Sequence, residues 1–233
     1  MAEQRTLKVG VVDSGIDEPA LVCQQAAFVL RDEQVLQLPS LPDRLGHGSR
    51  VVRIIQHRVP DVKILMANVF EQPRTSSGQV AAAIHWLVSE GVELINLSLG
   101  LSIERPQLKA ACEAALAAGV ILVAASPAQG VAVYPAAWPG VIRATGDARC
   151  GPCDWVWLQS LQADVGGCVR PLDQVLRASG ASMGCAWVSA HLTSWLATQP
   201  GCLAPATAVS DAYKWLQQQA RFVGVEQRGM SNG

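Results

Sequence analysis

The sequence contains few charged residues and no marked excess of either sign. Only 16% of its 233 residues are Asp, Glu, Lys or Arg, and the formal net charge is −1. The basic residues are scattered and form no stripe, so the electrostatic pattern of a nucleic-acid-binding protein is missing. We therefore exclude nucleic acid as the main partner.

Long apolar runs and an export signal are also missing. No stretch is long enough to cross a bilayer as a helix, so no membrane contact is predicted. The first eight residues lead into a short apolar run without the apolar core and cleavage site of a signal peptide. This pattern predicts a cytoplasmic protein.

The cysteines do not form the framework of a secreted disulfide-rich domain. There are seven, an odd number at irregular spacing. Cys150 and Cys153 have the spacing of a redox dithiol, but that chemistry needs the first cysteine at the start of a helix that follows a strand. The neighbouring residues do not show this pattern, so an ordinary turn is favoured and a redox or metal role stays open.

Hydrophobic residues, at 50% of the chain, predict a globular protein with much buried secondary structure. Short apolar runs alternate with helical stretches of about ten residues, each stopped by glycine or proline. This alternation predicts an α/β fold, a three-layer sandwich with a mainly parallel sheet and helices on both faces. We expect one domain over residues 1–233, with a flexible tail from about residue 224.

The individual elements follow from the same pattern. Strands are predicted over residues 7–12, 64–69, 93–97, 120–125 and 141–144. Helices are predicted over residues 48–57, 79–90, 106–118, 182–198 and 208–222.

Three polar residues fall where a parallel sheet places its ligands, beyond the carboxyl ends of the strands. Asp13 ends the first strand, His47 begins a helix, and Ser182 begins a later one. Acyl transfer by serine needs a nucleophilic hydroxyl, an imidazole that takes and returns its proton, and a carboxylate that orients the imidazole. Taken alone, Asp13 is better explained as a turn or helix-cap residue, His47 as a loop histidine and Ser182 as an N-cap. Only their joint context favours catalysis.

The segments around these residues resemble the three motifs of the subtilisin family, in the family's order. They are Val11-Val-Asp-Ser-Gly15, Gly46-His-Gly-Ser49 and Ser179-Gly-Ala-Ser-Met183. The likeness extends from about Lys8 to His191. It implies a subtilisin-like fold and a catalytic triad of Asp13, His47 and Ser182 that acts on extended peptides or proteins.

The resemblance also implies where a peptide binds. The pocket for the residue before the cleaved bond would be lined by Ser98, Leu99, Gly100, Ala125 and Ser126. Gly78 would pair with the peptide backbone, which joins the protein as an added strand.

One departure from the family pattern concerns the oxyanion. The family carries an asparagine whose side chain donates to it, and Ala128 falls at that position here. Loss of one such donor costs about a hundred- to a thousandfold in turnover. Slow catalysis is expected unless Ser126 or Gln129 supplies a replacement donor.

A second departure concerns metal binding and the helix after His47. The loop in which the family binds calcium is missing, and no acidic cluster elsewhere offers a substitute. We therefore predict no metal and no other cofactor. Arg50 and Arg53 also stand where the family has small residues.

Together these features favour a serine endopeptidase that forms an acyl-enzyme on Ser182. Its expected role is that of a dedicated intracellular processing peptidase, such as a leader-peptide protease. The alternatives are a weak or inactive subtilisin-like module that binds peptides, favoured by Ala128 and the two arginines, and a subunit of a biosynthetic complex. A partner protein or a homo-oligomer stays open, since several late tryptophans could serve an interface.

Overall fold

The computed structural model describes residues 6–71, 73–174 and 180–226. The strands are β1 (Lys8–Asp13), β2 (Gln24–Arg31), β3 (Gln34–Leu38), β4 (Lys63–Asn68), β5 (Leu94–Leu97), β6 (Ile121–Ala125), β7 (Ile142–Asp147), β8 (Trp155–Trp157), β9 (Val165–Cys168) and β10 (Phe222–Val223). The helices are α1 (His47–Arg58), α2 (Ser77–Ser89), α3 (Pro106–Ala117), α4 (Ala181–Ala197) and α5 (Ala208–Gln219). Most of the tail that we expected to be flexible lies outside the described residues.

The described strands form one mixed sheet in the order β10-β8-β9-β7-β6-β5-β1-β4-β2-β3. At its centre β4, β1, β5 and β6 pair in parallel. Every residue of β5 and β6 is buried, which is typical of strands covered by helices on both faces. The predicted α/β architecture is confirmed.

Two hydrophobic clusters lie on the two faces of the sheet. One contains side chains from α1, α4 and α5, with Trp187 as its largest fully buried residue. The other contains side chains from α2 and α3, such as Ile84 and Leu108. These clusters complete the three layers. None of the described helices is both long and apolar enough to cross a membrane.

The outer strands of the sheet were not predicted. β2 and β3 form an antiparallel hairpin, and β8 runs antiparallel to β9. The hairpin turn places Asp32 and Glu33 in the left-handed region, at φ 46° and 64°. Such a turn is usually marked by Asn-Gly or Asp-Gly, and that signal is missing here.

Aromatic side chains fix α5 to the rest of the fold. Trp155 of β8 stacks on Trp215 with ring centroids 5.0 Å apart, and Trp215 stacks on Trp195 of α4 at 5.7 Å. The indole of Trp155 donates to the carbonyl of Leu216 at 2.8 Å. The hydroxyl of Tyr213 donates to Asp164 at 2.8 Å. These late tryptophans therefore pack between elements of the same chain.

Candidate active site

Asp13 and His47 form a hydrogen-bonded pair at the carboxyl edge of the sheet. β1 ends at Asp13, α1 begins at His47, and Nδ1 of His47 lies 2.7 Å from Oδ1 of Asp13. The backbone N–H of Ser14 donates to the same carboxylate oxygen at 2.7 Å. The carboxylate is 2% exposed and the imidazole 29%. Asp13 thus holds the imidazole from the buried side and leaves part of the ring accessible.

The charge of Asp13 is the main reason that the pKa of His47 is raised above 6.5. Burial lowers this pKa, the hydrogen bond to Asp13 and the charge of Asp43 raise it, and Arg50 lowers it. The second oxygen of Asp13 is buried and makes no hydrogen bond with the described residues. Such an unsatisfied buried acceptor is uncommon in native structures and is tolerated at functional sites.

Asp43 organises the loop before α1, and the sequence analysis missed it. Its Oδ1 accepts hydrogen bonds from the N–H of Gly46 and the hydroxyl of Ser14, both at 2.8 Å. Its Oδ2 accepts from the N–H of Ser49 at 3.0 Å and from the Ser49 hydroxyl at 2.7 Å. Asp43 therefore satisfies an N–H of the first turn of α1. An aspartate just before the start of a helix was the available signal.

Two glycines, one in the histidine motif and one just after the serine motif, are required by close backbone approach. A Cβ on Gly48 would lie 2.3 Å from the carbonyl oxygen of Gly15, which follows β1. A Cβ on Gly184 would lie 2.0 Å from the carbonyl oxygen of Thr145 in β7. Glycine thus allows α1 and α4 to lie directly against the strand ends that form the site.

Ser182 lies in the first turn of α4, where Gly180 is the N-cap with φ 126°. The N–H groups of a first helical turn lack intrahelical acceptors, and the helix dipole favours negative charge there. The Ser182 hydroxyl donates to the carbonyl of Ser98 at 3.0 Å. Catalytic hydrogen bonds often tighten only in the substrate complex, so this orientation is compatible with a nucleophile. Ser179, the first residue of the serine motif, lies outside the described residues.

A buried polar network links β5 to the first turns of α4, and it too was missed. Asn96, fully buried, donates to the hydroxyl of Ser98 at 2.9 Å, which donates to the carbonyl of Ser182 at 3.1 Å. Oδ1 of Asn96 accepts hydrogen bonds from the hydroxyl of Ser189 at 2.9 Å and from the thiol of Cys185 at 3.3 Å. Burial raises the pKa of Cys185 to about 12, so the thiol stays protonated. The network holds Ser182 through its backbone.

A cleft of about 600 Å³ lies beside Asp13 and His47. We call it the apolar cleft, after its walls of Leu45, Phe70, Pro73, Leu99 and Leu101. Ser98 and Gly100 also line it, so three of the predicted pocket residues lie next to the imidazole, although their role in binding stays a prediction. Leu101 and Tyr134 exchange two backbone hydrogen bonds of 2.8 Å, which fix this wall.

The prediction for Gly78 is wrong. Gly78 lies in the first turn of α2, after a capping box in which Ser76 and Gln79 bond each other's backbone N–H groups. Its helical backbone cannot pair with a peptide as a strand. Ala125 ends β6 with its side chain in the hydrophobic core, so only its backbone is available to a substrate.

The structure also corrects the prediction for Ser126. Its hydroxyl donates to the carbonyl of Gln162 at 2.6 Å, so its single proton is not available to an oxyanion. Ala128 and Gln129 are exposed and line a second cleft, of about 680 Å³, together with Gly146. Ala128 has no side-chain donor, and Gln129 stays a prediction.

The two arginines of α1 have partners on neighbouring segments. Arg50 donates to Asp173 at 2.8 Å and to the carbonyl of Gly46 at 2.9 Å. Arg53 pairs with Asp17 and Glu18. Neither arginine lines the apolar cleft, so they do not block access to His47.

Within residues 6–71, 73–174 and 180–226, no group of three His, Cys, Asp or Glu side chains is placed to hold a metal ion. Cys150 is buried and Cys153 exposed, and both are free thiols. Burial raises the pKa of Cys150 to about 12. The pair lies in the loop between β7 and β8 and does not begin a helix, so the setting of a redox dithiol is missing.

Sequence comparison gives similarity to subtilisins. The profile of the Subtilase family matches residues 4–146, which include Asp13 and His47. Subtilisin E of Bacillus subtilis is 29% identical over 157 residues, which cover 58% of this chain and 39% of that protein. The subtilisin-like protease het-Q2 of Podospora anserina is 32% identical over 110 residues, which cover 43% of this chain and 30% of that protein. The match therefore spans less than half the length of these relatives.

Solved structures extend the similarity to nearly the whole chain. A lanthipeptide protease superposes with a TM-score of 0.67 at 18% identity, covering 94% of this chain and 81% of that one. The nisin leader peptidase of Lactococcus lactis superposes with a TM-score of 0.66 at 16% identity, covering 91% and 82%. At such identity the likeness concerns the fold, and it confirms the predicted subtilisin-like architecture.

Proposed function

Because this chain belongs to the Subtilase family, we propose that it is a serine endopeptidase with Ser182 as its nucleophile. The observation that carries the proposal is the 2.7 Å pair of Asp13 and His47. The pair lies in the same cleft as Ser98, which is hydrogen-bonded to Ser182. A carboxylate and an imidazole at this cleft, with a serine hydroxyl bonded to Ser98 in its wall, are the groups that acyl transfer by serine requires.

The reaction follows from the roles of these groups. The Ser182 hydroxyl rotates away from the carbonyl of Ser98, and His47 takes its proton as the oxygen attacks the peptide carbonyl. Asp13 stabilises the imidazolium that forms, which then gives its proton to the leaving amine. The N–H of Ser182 faces the negative charge of the tetrahedral intermediate. Water finally hydrolyses the acyl-enzyme.

Oxyanion stabilisation limits the rate in this proposal. Ala128 provides no side-chain donor, and the Ser126 hydroxyl is bound to Gln162. Unless Gln129 turns inward, we expect turnover about a hundred- to a thousandfold below that of an enzyme with a complete oxyanion hole. A slow enzyme of this kind suits a single dedicated substrate.

The biological role that we propose is the processing of a precursor peptide inside the cell, such as removal of a leader. The fold likeness to a lanthipeptide protease and to the nisin leader peptidase supports this role.

Labelling with a fluorophosphonate probe tests the proposal. The wild type should be labelled at Ser182, and Ser182→Ala should not be labelled. Ser210→Ala, at an exposed serine of α5, is the control and should be labelled as the wild type is. A wild type that resists the probe at neutral pH would contradict the enzyme.

That negative result would favour a peptide-binding module with a subtilisin-like fold. Two observations support this second candidate, the alanine at position 128 and the bond of the Ser182 hydroxyl to the Ser98 carbonyl. A subunit of a biosynthetic complex differs from both, since it would be labelled only when its partner is added.

A further inference from the structure

The rim of the apolar cleft carries a positive charge that no described residue pairs with. Arg74 lines the cleft and is exposed. Its side chain makes no hydrogen bond or ion pair with the part of the chain that the structure describes. The other ionisable side chains of the described residues that line the cleft are Asp13 and His47, which bind each other.

Acidic side chains near the rim are already engaged. Glu71 accepts hydrogen bonds from both terminal nitrogens of Arg31. Arg31 and, to a smaller extent, Arg44 hold the pKa of Glu71 below its usual value. Asp43 is bound by the backbone and hydroxyl groups around the start of α1. Among the described residues, Arg74 is thus a guanidinium at the mouth of the cleft that no carboxylate side chain pairs with.

We infer that the apolar cleft selects a peptide segment that carries an acidic side chain next to apolar ones. This inference rests on the proposed function and on the prediction that Ser98, Leu99 and Gly100 line the pocket for the residue before the cleaved bond. Leucine, phenylalanine and proline side chains in the walls bury apolar substrate groups. The guanidinium of Arg74 presents a planar pair of donors that matches a carboxylate. A basic side chain at the same place would be repelled.

Matched peptides test the inference through cleavage. A quenched fluorescent peptide is varied at each of the four positions before the bond, with Glu, Gln or Lys in turn. At low salt the wild type should cleave the best Glu peptide about fivefold faster in kcat/KM than its Gln counterpart, and the Lys peptide should be slowest. Arg74→Glu should invert this order. Lys63→Glu is the control, since Lys63 is exposed at the start of β4, the end of that strand away from the cleft. It makes the same change of charge and should leave the order of the three peptides unchanged.

Binding to Ser182→Ala separates this inference from the proposed function. Fluorescence anisotropy with the same peptides reports selection without any chemistry. Three outcomes would overturn the inference even if the wild type is labelled by fluorophosphonate. They are equal affinities for the Glu, Gln and Lys peptides, no binding of any of them, and an order of affinities that Arg74→Glu leaves unchanged. Charge-dependent binding by a protein that resists labelling would instead uphold the selection and contradict the enzyme.

Discussion

The pair of Asp13 and His47 sets the pH range in which catalysis is expected. A general base must be neutral, so kcat/KM should fall as the pH drops through the raised pKa of His47. Asp13→Asn removes the main cause of that shift, so the acidic limb should move to lower pH, and kcat should fall by about 10⁴. An NMR titration of the His47 ring measures the pKa where turnover is too slow. If the pKa of His47 in Asp13→Asn equals that in the wild type, this account is contradicted.

Asn96 is expected to act on catalysis through Ser98 and Ser182. Asn96→Ala removes the donor to Ser98 and loosens the first turn of α4, so we expect kcat to fall about tenfold with little change in KM. Ser189→Ala removes one bond to Asn96 but leaves the Ser98 arm intact, and should affect kcat less. Steady-state kinetics and thermal melting are compared for both variants. Loss of stability with an unchanged kcat would show that Asn96 is structural only.

The pairing of Asp13 with His47 could be predicted because each residue lies in a local motif, and the role of Ser182 as nucleophile stays a prediction. Asp43 and Asn96 could not be predicted, since their roles depend on contacts between elements distant in sequence. The failure at Ser126 has the same cause, because the partner of its hydroxyl is a carbonyl 36 residues later. The chemistry of a side chain could be predicted from the sequence. Identifying the acceptor that each donor binds required the folded structure.

At the scale of elements, periodicity predicted the five helices and the central strands within a few residues. The hairpin of β2 and β3 was missed because its turn uses Asp32 and Glu33 at positive φ. The error at Gly78 was avoidable. Ser76 and Gln79 have the spacing of a capping box, which predicts the start of a helix before Gly78.

The packing of α4 against β8 predicts sensitivity to acid. His191 is fully buried against Trp155 at a centroid distance of 4.6 Å, and its ring nitrogens make no hydrogen bond with the described residues. Burial, and then the charge of Arg58, lower its pKa to about 3, with a smaller opposing effect of Asp154. Below pH 6.5 the unfolded chain takes up a proton that the folded chain refuses.

The free energy of unfolding should therefore fall by up to about 1.4 kcal/mol per pH unit between pH 6.5 and 3 through this residue. His191→Leu should reduce the slope, as measured by urea unfolding at several pH values. His85→Gln, at an exposed histidine of α2, is the control. An identical slope in wild type and His191→Leu would refute the role of His191.

At the scale of the whole molecule, the short connection between α1 and β4 predicts that the protein is stable without calcium. Four residues, 59–62, join the two elements, so the loop that binds calcium in the family has no counterpart here. We expect a chelator to leave Tm unchanged within about 1 °C and added calcium to give no stabilisation, because a ligand stabilises only the state that binds it. Differential scanning fluorimetry with and without EDTA makes the comparison. A drop of several degrees with EDTA would reveal a site that we did not recognise.

The stacked indoles of Trp155, Trp215 and Trp195 also have an optical consequence. Aromatic rings held rigidly at 5.0 and 5.7 Å in an asymmetric environment couple electronically and give a near-ultraviolet circular dichroism signal, which disappears when fixed packing is lost. The three rings belong to β8, α5 and α4, so this signal reports whether α5 is docked. The protein thus carries a built-in spectroscopic marker at the end of the sheet that lies away from the apolar cleft.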